Sequence, residues 1–498
     1  MIFRPKKPSW LWDTWIFDWQ GQYHLYYLET QKDLWDHVGH AVSSDLINWE
    51  QCASIPTKGA PGDWNEEATL TGMVVPHEGK FYMFVGATWN KVQVIGLYTS
   101  PDLYNWTPCI RNPIIKPKAP YMSQPSKPFD SVDWRDPCIR YRKEDGHYHA
   151  LICARQNNYD HSNTGAVVAH LRSKDLLNWE YLPKLNADVS GFYHTEVPDI
   201  FQINGKYYLV FSTLSGGGLS LNSPSRENVS GAFYMIADSI DGPFTYPKDY
   251  VLMGSSNSKL GPYVARTIQH GDKTVLYHHI KASERPALCS PKLVAAHEDH
   301  SLYLQYMPVM QKLEKSELIA ATSGISIDVN DLGKWELKGT CISGIAQKLG
   351  SGCRIAQNVS DIHFNCKIRS ISAAKAGISL RCSEQNGVLL ELDFANNKIE
   401  IGLSRYNSTT GWGPDFDAVI NHKNFQPWDV CKKKLDHNKS YELRVFARNE
   451  FFEVYINDEW ISTVVLDGAP KSGDVQLCVQ RGEAVFSYIR LAEIEAFD

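Results

Sequence analysis

The stretch GQYHLYY (residues 21–27) recurs along the chain as GKFYMFV (79–85), GHYHALI (146–152) and GKYYLVF (205–211). A weaker fifth copy is GDKTVLYHH (271–279). Each copy is a glycine followed by an alternating run rich in Tyr, Phe and Val, as expected of a short β-strand after a turn. The copies are about sixty residues apart. Self-similarity at such a fixed spacing predicts one supersecondary unit repeated along the chain.

A second motif follows each of the first three copies, as SSDLINW (43–49), SPDLYNW (100–106) and SKDLLNW (173–179). A degenerate version, DSIDGPF (238–244), follows the fourth. Four short strands per unit fit one blade of a β-propeller, so we predict an all-β chain with a five-bladed β-propeller over residues 1–310. A large irregular β-sandwich is the alternative, which the ordered recurrence of two motifs disfavours.

After about residue 315 the repeat stops, but strand-like segments continue. YELRVFARNEFFEVYIND (441–458) contains two alternating runs joined at Asn449 and Glu450, which predicts a hairpin. We therefore predict a C-terminal β-sandwich over residues 316–498, packed beside the propeller.

Composition excludes several classes of protein. The 498 residues carry 50 Lys and Arg against 56 Asp and Glu, a net charge of −6, which argues against a nucleic-acid partner. No apolar run approaches the ~20 residues that span a bilayer, so no membrane partner is expected.

The 11 cysteines form no CxxC pair or His/Cys cluster, so we expect buried thiols, no metal site and no cofactor. Aromatic residues reach 12%, and exposed aromatic rings suit stacking on sugars.

Three carboxylates precede the glycines of their own repeats at similar distances. Asp13, Asp136 and Glu196 lie 8, 10 and 9 residues before those glycines, with Thr71 and Arg266 in the other two repeats. The innermost strand of each blade lines the channel, so these side chains are expected to converge. A nucleophile or base, a protonated acid and a third carboxylate that binds hydroxyls are what glycosidic cleavage requires. The alternative for each carboxylate alone is a turn cap.

Four segments carry a resemblance to a known family: WDHVGHAVSSDLINWE (35–50), DWRDP (133–137), HTEVPDIF (194–201) and YELRVFARNEFFEVYINDEWIST (441–463). The chain resembles glycoside hydrolase family 32, the invertase, inulinase and levanase group, over nearly its whole length. The resemblance implies that Asp136 stabilises the transition state and that Glu196 is the acid/base. Val197 stands where the family motif has Cys.

The nucleophile motif departs from that pattern. WLWDTW (10–15) is similar to the segment of the related family 68 levansucrases. The resemblance implies that Asp13 is the nucleophile. Trp12 replaces the Asn that binds substrate in family 32, so the pocket for the terminal sugar is altered.

Further residues are candidates for substrate binding. For each tryptophan a place in the core is as good an interpretation as stacking on a sugar, and His194 is equally well explained as a structural residue. The candidates are Trp12, Trp15, Trp35, Trp64, Thr71, Arg135, His194 and Arg266.

The resemblance predicts a retaining glycoside hydrolase that cleaves β-fructofuranosidic bonds in sucrose, fructo-oligosaccharides or fructans. A fructosyltransferase, an inverting arabinofuranosidase or xylosidase, and a non-catalytic sugar-binding protein are the alternatives. The partner expected is a carbohydrate, with a homo-oligomer through the sandwich as a further possibility. No apolar segment follows the basic N-terminal residues, so a cytoplasmic location is expected, or a secreted one if a signal peptide has been removed.

Overall fold

The computed structural model describes residues 2–127, 129–157, 164–214, 221–256, 261–282, 285–320, 325, 328–329, 333–383, 386–405 and 425–496. Within these ranges the regular elements are strands, apart from one short 3₁₀ helix, Pro308–Leu313. The predicted all-β class is therefore confirmed. No helix in the described ranges is long and apolar enough to cross a membrane.

Four antiparallel sheets form the first part of the chain. The first sheet contains β1 (Trp10–Trp19), β2 (Gln22–Thr30), β3 (His37–Ser43), β4 (Glu50–Gln51) and β5 (Ile55–Pro56). The second contains β6 (Ala68–His77), β7 (Lys80–Trp89), β8 (Val92–Ser100) and β9 (Thr107–Pro108). The third contains β10 (Trp134–Arg142), β11 (His147–Arg155), β12 (Ala166–Ser173) and β13 (Glu180–Tyr181). The fourth contains β14 (Glu196–Ile203), β15 (Lys206–Thr213), β16 (Ser230–Ala237) and β17 (Val251–Ser255).

The fifth repeat forms strands of the same kind but not a separate sheet. It contains β18 (Gly261–His270), β19 (Lys273–Lys281), β20 (Ala287–Leu288), β21 (Lys292–Ala296) and β22 (Leu302–Tyr306). Gln305 of β22 pairs with Glu459, so this set is continuous with the C-terminal domain. The prediction of a five-bladed propeller is therefore wrong in its number of blades: four sheets stand alone, and the fifth set of strands is shared with the C-terminal domain. The innermost strands β1, β6, β10, β14 and β18 pack in that order, and β18 returns to β1 to close a ring.

The recurring glycines close tight hairpins. Gln20 and Gly21 join β1 to β2, and the corresponding pairs in blades two and four are Glu78–Gly79 and Asn204–Gly205. Both residues of each pair have positive φ, between 47° and 81°. This is the type I′ geometry that matches the twist of paired strands, and glycine adopts it without steric cost.

The second motif is a self-contained turn. Ser43 Oγ accepts the backbone N–H of Leu46 at 3.0 Å, and Asp45 Oδ1 accepts that of Asn48 at 2.8 Å. Trp49 Nε1 donates to the Leu46 carbonyl at 3.2 Å. All three bonds recur in blade two, and the bonds of the aspartate and the tryptophan recur in blade three, which explains why the sequence recurs.

The C-terminal domain is a β-sandwich, as predicted. Its strands are β23 (Glu314–Ile319), β24 (Asp328–Val329), β25 (Gly333–Lys338), β26 (Cys341–Val359), β27 (Ile362–Ser370), β28 (Lys375–Cys382), β29 (Asn386–Asp393), β30 (Lys398–Arg405), β31 (Phe425–Lys432), β32 (Ser440–Arg448), β33 (Phe451–Ile456), β34 (Glu459–Val465) and β35 (Gly473–Ile494). The hairpin at Asn449 and Glu450 is confirmed by the pairing of Arg448 with Phe451. The domain limits 1–310 and 316–498 stay predictions, with the 3₁₀ helix at their junction.

Candidate active site

Each innermost strand carries a β-bulge close to its start. The bulges lie between Leu11 and Thr14, Thr69 and Gly72, Arg135 and Cys138, Glu196 and Asp199, and Tyr263 and Arg266. At a bulge two residues oppose one on the partner strand, which bends the strand and re-aims its side chains. The five bulges therefore form one layer at the same end of the ring.

The three carboxylates occupy three different positions relative to their bulges. Asp13 and Thr71 are the second bulge residues of blades one and two, whereas Asp136 is the first bulge residue of blade three. Glu196 immediately precedes the bulge of blade four. The unequal distances from the glycines reflect these different positions. Asp136 and Glu196 both lie within 3.4 Å of the Arg135 guanidinium, and the negative charges of both contribute to the raised pKa of Asp13.

Asp13 is held in a water-poor position. Thr71 Oγ1 donates a hydrogen bond to Asp13 Oδ2, while Oδ1 has no hydrogen-bond partner among the described residues. Burial raises the pKa of Asp13 to about 7, with a further contribution from the negative charges of Asp136 and Glu196.

Asp136 is fixed by an unusual backbone conformation. Its φ is +58°, in the left-handed region that residues with a side chain seldom adopt. Asp136 Oδ2 accepts the backbone N–H of Val197 at 3.1 Å and lies 3.4 Å from Arg135 Nε. Burial raises the pKa of Asp136 to about 6, although Arg135 opposes the shift. Strain of this kind at a carboxylate fits a functional position.

Glu196 is bonded on both of its oxygens. Arg135 Nη2 donates to Oε1 at 2.8 Å, and the Tyr263 hydroxyl donates to Oε2. Burial disfavours its charged form, but Arg135, His194 and Tyr263 outweigh burial and hold the pKa of Glu196 below its usual value. In the free protein Glu196 is therefore the most readily ionised of the three carboxylates.

Arg135 is the electrostatic centre of the site. Its Nη1 donates to Asp133 Oδ1 at 2.6 Å and to Gln93 Oε1 at 3.0 Å, in addition to its bond with Glu196. Arg155 donates to the other oxygen of Asp133, so two guanidinium groups share that carboxylate. They help to hold the pKa of Asp133 down at about 2. This network orients Arg135 toward the carboxylates with little freedom to turn.

His194 lies beside the same network as a neutral side chain. Its Nδ1 is 3.8 Å from Glu196 Oε1 and its Nε2 is 3.7 Å from Asp133 Oδ2. Burial, assisted by the charge of Arg135, lowers the pKa of His194 to about 4. Near neutral pH it is therefore a polar neighbour of Glu196 rather than a cation.

The four tryptophans predicted to bind substrate differ in how far they are buried. Trp15 is 1% exposed and packs against Tyr26 in the core, so the prediction that it binds substrate is wrong. Trp12, Trp35 and Trp64 are partly exposed and pack against the same aromatic cluster between blades one and two. Trp12 directly precedes Asp13 in the chain, and its ring packs against His279 at 4.8 Å between ring centres.

Arg266 donates its hydrogen bonds to backbone carbonyls of two other blades, and not into the channel. Its Nη1 donates to the Gly72 carbonyl at 2.6 Å, and its Nη2 donates to the Pro137 carbonyl at 3.1 Å. The guanidinium is buried, and both carbonyls belong to other blades. The structure therefore corrects its predicted role in hydroxyl binding to a structural one. Its charge still favours the ionised forms of Asp13 and Asp136.

Three residues of the site were not predicted from the sequence. Tyr263 bonds Glu196, Asp133 anchors Arg135, and Lys281 lies over the Tyr263 ring. Tyr263 immediately precedes its bulge, as Glu196 does, so the repeat contains a signal for it. Lys281 lies at the end of β19, where no motif points to it. The described residues contain no group of three or more His, Cys, Asp or Glu side chains that could hold a metal.

Thr71 is expected to control the ionisation of Asp13. Replacing Thr71 by Val removes the donated hydrogen bond, so the pKa of Asp13 rises further. Because Asp13 holds the more tightly bound proton of the free protein, the basic limb of the kcat/KM–pH profile moves to higher pH. A bond to a charged group contributes about 1.5–3 kcal/mol, so kcat/KM below pH 7 is expected to fall roughly ten- to a hundredfold. Thr71→Ser retains the hydroxyl and serves as the control. An unshifted limb in Thr71→Val would show that this bond does not control Asp13.

The chain matches family models over both of its domains. The N-terminal domain model of the glycosyl hydrolases family 32 matches residues 9–258, and the C-terminal model of the same family matches residues 335–493. The first match includes the three carboxylates. The second covers most of the sandwich.

Curated relatives and a solved structure agree with these matches. A fructan 1-exohydrolase from Bromus pictus is 26% identical over 208 residues, which are 41% of this chain and 31% of that protein. The insoluble β-fructofuranosidase isoenzyme 4 of Oryza sativa subsp. japonica is 26% identical over 256 residues, 48% of this chain and 38% of that protein. The alignments thus span about a third of the length of these relatives.

The fold is also that of a solved enzyme structure. The exo-inulinase from Aspergillus awamori superposes with a TM-score of 0.69 at 16% sequence identity, covering 99% of this chain and 98% of that one. At that identity the likeness concerns the fold. Together with the two family models, it shows that the chain belongs to the glycosyl hydrolases family 32.

Proposed function

We propose that the protein is a retaining β-fructofuranosidase that hydrolyses sucrose, fructo-oligosaccharides or fructans. The observation that carries the proposal is that Asp136 and Glu196 both contact Arg135, while their negative charges also act on Asp13 in the same layer of bulges. Membership of family 32 and the names of the relatives support fructofuranosides as the substrate class. The alternative of an arabinofuranosidase or xylosidase has no comparable support.

Each carboxylate has a role in the proposed reaction. Asp13 attacks the anomeric carbon and forms a covalent fructosyl intermediate, while Glu196 donates a proton to the departing oxygen. Glu196 then removes a proton from water, which attacks the same carbon and releases fructose with retained configuration. Asp136 accepts hydrogen bonds from sugar hydroxyls and stabilises the positive charge that develops on the ring.

The proton must move before this reaction begins. In the free protein Asp13 holds a proton more strongly than Glu196 does, because Arg135 and Tyr263 favour ionised Glu196. The mechanism requires the reverse: ionised Asp13 and protonated Glu196. A bound sugar supplies an acceptor oxygen for a protonated Glu196 and excludes water around it, and both effects favour the transfer. Activity near neutral pH is expected from this arrangement.

Transfer of fructose to another sugar is a second candidate function. The observation that favours it is Trp12, whose partly exposed ring directly precedes the proposed nucleophile and offers a surface on which an acceptor sugar stacks. Transfer and hydrolysis share the same covalent intermediate and differ only in what attacks it.

Product analysis tests both proposals. The protein is incubated with sucrose, 1-kestose, inulin, levan and arabinan, and the released sugars are separated by anion-exchange chromatography. Fructose release is expected, with the β-anomer appearing first in a time-resolved NMR spectrum. Release of arabinose alone, or of the α-anomer first, would contradict a retaining fructofuranosidase. Oligosaccharides that accumulate at high sucrose concentration would indicate transfer, whereas equal release of glucose and fructose would indicate hydrolysis.

A further inference from the structure

Lys281 places a positive charge at the edge of the carboxylate layer. Its Nζ lies 4.5 Å from the centre of the Tyr263 ring and 5.6 Å from that of Trp12. The side chain is partly exposed, and it has no ion pair or hydrogen bond among the described residues. An ammonium group over aromatic faces is attracted by their electron density, so the two rings fix its position.

Both rings adjoin proposed catalytic groups. The Tyr263 hydroxyl donates to Glu196 Oε2, and Trp12 is the chain neighbour of Asp13. The negative charges of Glu196 and Asp13 favour the charged form of Lys281. Burial has the larger effect and lowers the pKa of Lys281 overall. The attraction is mutual, so the ammonium favours ionisation of both carboxylates.

The neighbouring histidine does not supply a competing charge. His279 packs against Trp12 at 4.8 Å and against Tyr263 at 6.1 Å between ring centres. Burial, and to a smaller extent the charge of Lys281, lower the pKa of His279 to about 3, so it is neutral during turnover. Among the described residues Lys281 is therefore the cation on this side of the site, whereas Arg135 and Arg266 act on the carboxylates through other contacts.

We propose that Lys281 is a positioning residue, which acts through Tyr263 and across the space beside Trp12 to stabilise negative charge on Glu196 and Asp13. The roles of these two carboxylates rest on the proposed function, but the electrostatic effect does not. An ammonium above the ring makes the Tyr263 phenol a stronger hydrogen-bond donor, which favours the Glu196 carboxylate. Loss of the charge therefore makes both carboxylates easier to protonate.

Two substitutions separate the charge from the shape of Lys281. Lys281→Met keeps most of the aliphatic chain without the charge, whereas Lys281→Arg keeps a cation able to lie over both rings. Both limbs of the kcat/KM–pH profile are expected to move upward by roughly half a pH unit to one unit in Lys281→Met and to return toward the original in Lys281→Arg. Lys312→Met, which removes a lysine paired with Asp45 away from the site, is the matched control.

A measurement on the free protein distinguishes this proposal from the proposed function. Infrared titration follows the carbonyl band of protonated carboxyl groups without any substrate, and a Glu196→Gln variant assigns the contribution of Glu196. The midpoint of that contribution is expected to rise in Lys281→Met and not in Lys312→Met. An unchanged midpoint and unchanged profile limbs would overturn the proposal. A shifted midpoint in a protein that releases no fructose would sustain the role of Lys281 and contradict the substrate class.

Discussion

Replacing Asp13 by Asn is expected to lower kcat for fructose release at least about 10⁴-fold, which is the usual effect of removing a catalytic nucleophile. The amide is nearly the same size as the carboxylate and can still accept the hydrogen bond from Thr71, so the fold is expected to persist. It cannot form a covalent ester with the sugar. The measurement is the initial rate of fructose release from sucrose and 1-kestose.

Asp18→Asn is the matched control for this experiment. Asp18 lies on the same strand, β1, but is exposed and outside the bulge. Its substitution is expected to leave the rate unchanged. Full activity in Asp13→Asn, with the variant verified by mass, would remove Asp13 from the role of nucleophile.

Glu196→Ala provides an independent check on the division of roles. Without the acid, substrates with a poor leaving group react slowly, whereas those with a good one still form the intermediate. Azide, a nucleophile that needs no general base, is expected to accelerate turnover of the substrates with a good leaving group. Failure of azide to do so would argue that Glu196 is not the acid/base.

Asp429→Ala is expected to destabilise the junction of the two domains by about 3–5 kcal/mol, the cost of leaving a buried charge without its partner. Arg226 of blade four donates from Nη1 to both oxygens of Asp429 in β31, at 2.8 and 2.7 Å. Arg226 is 4% exposed and Asp429 is 2% exposed. The Asp429 carboxylate also accepts a hydrogen bond from Ser462, so its removal leaves several donors unsatisfied.

Unfolding in urea tests this expectation. Trp460 lies 5.6 Å from the Arg226 guanidinium, so its fluorescence is placed to report on the junction. The midpoint is expected to fall in Asp429→Ala and in Arg226→Met, and the double variant Arg226→Met/Asp429→Leu is expected to recover part of the loss, because it removes both charges. If both single variants unfold like the unaltered protein, the pair does not stabilise the junction.

A second ion pair across the same junction serves as the control. Glu227, the chain neighbour of Arg226, pairs with Lys432 at 2.5 Å, but both side chains are more than half exposed. Solvent screens such a pair, so Lys432→Met is expected to leave the midpoint almost unchanged. The contrast isolates burial as the cause of the effect, because both pairs link the same two segments of the chain.

The repeats were sufficient to predict the strands and their order. A glycine with positive φ closes a hairpin through local sterics, and the Asp-Leu turn is built from bonds within seven residues, as at Ser43 to Trp49. Local physics of this kind is visible in the sequence. The motifs around Asp13, Asp136 and Glu196 are also local, which is why the carboxylates and the family were predictable.

Contacts between distant repeats were not predictable in this way. The bond from Tyr263 to Glu196 joins residues 67 apart, and the cation of Lys281 reaches the site only because the fifth set of strands closes the ring onto blade one. The burial of Trp15, beside the partly exposed Trp12, depends on the phase of the bulge. A bulge shifts which side chains face the channel, and no residue type in the sequence marks that shift.

The sequence by itself thus determined the all-β class, the repeated blade, the second domain and the three carboxylates that we propose as catalytic. Only the tertiary structure decided that the fifth set of strands is shared with the sandwich and that Arg266 bonds backbone carbonyls. It also placed the preferred proton site of the free protein on Asp13 rather than Glu196. The physical reason is that burial and charge depend on every neighbour in space, whereas turns and strands depend mainly on neighbours along the chain.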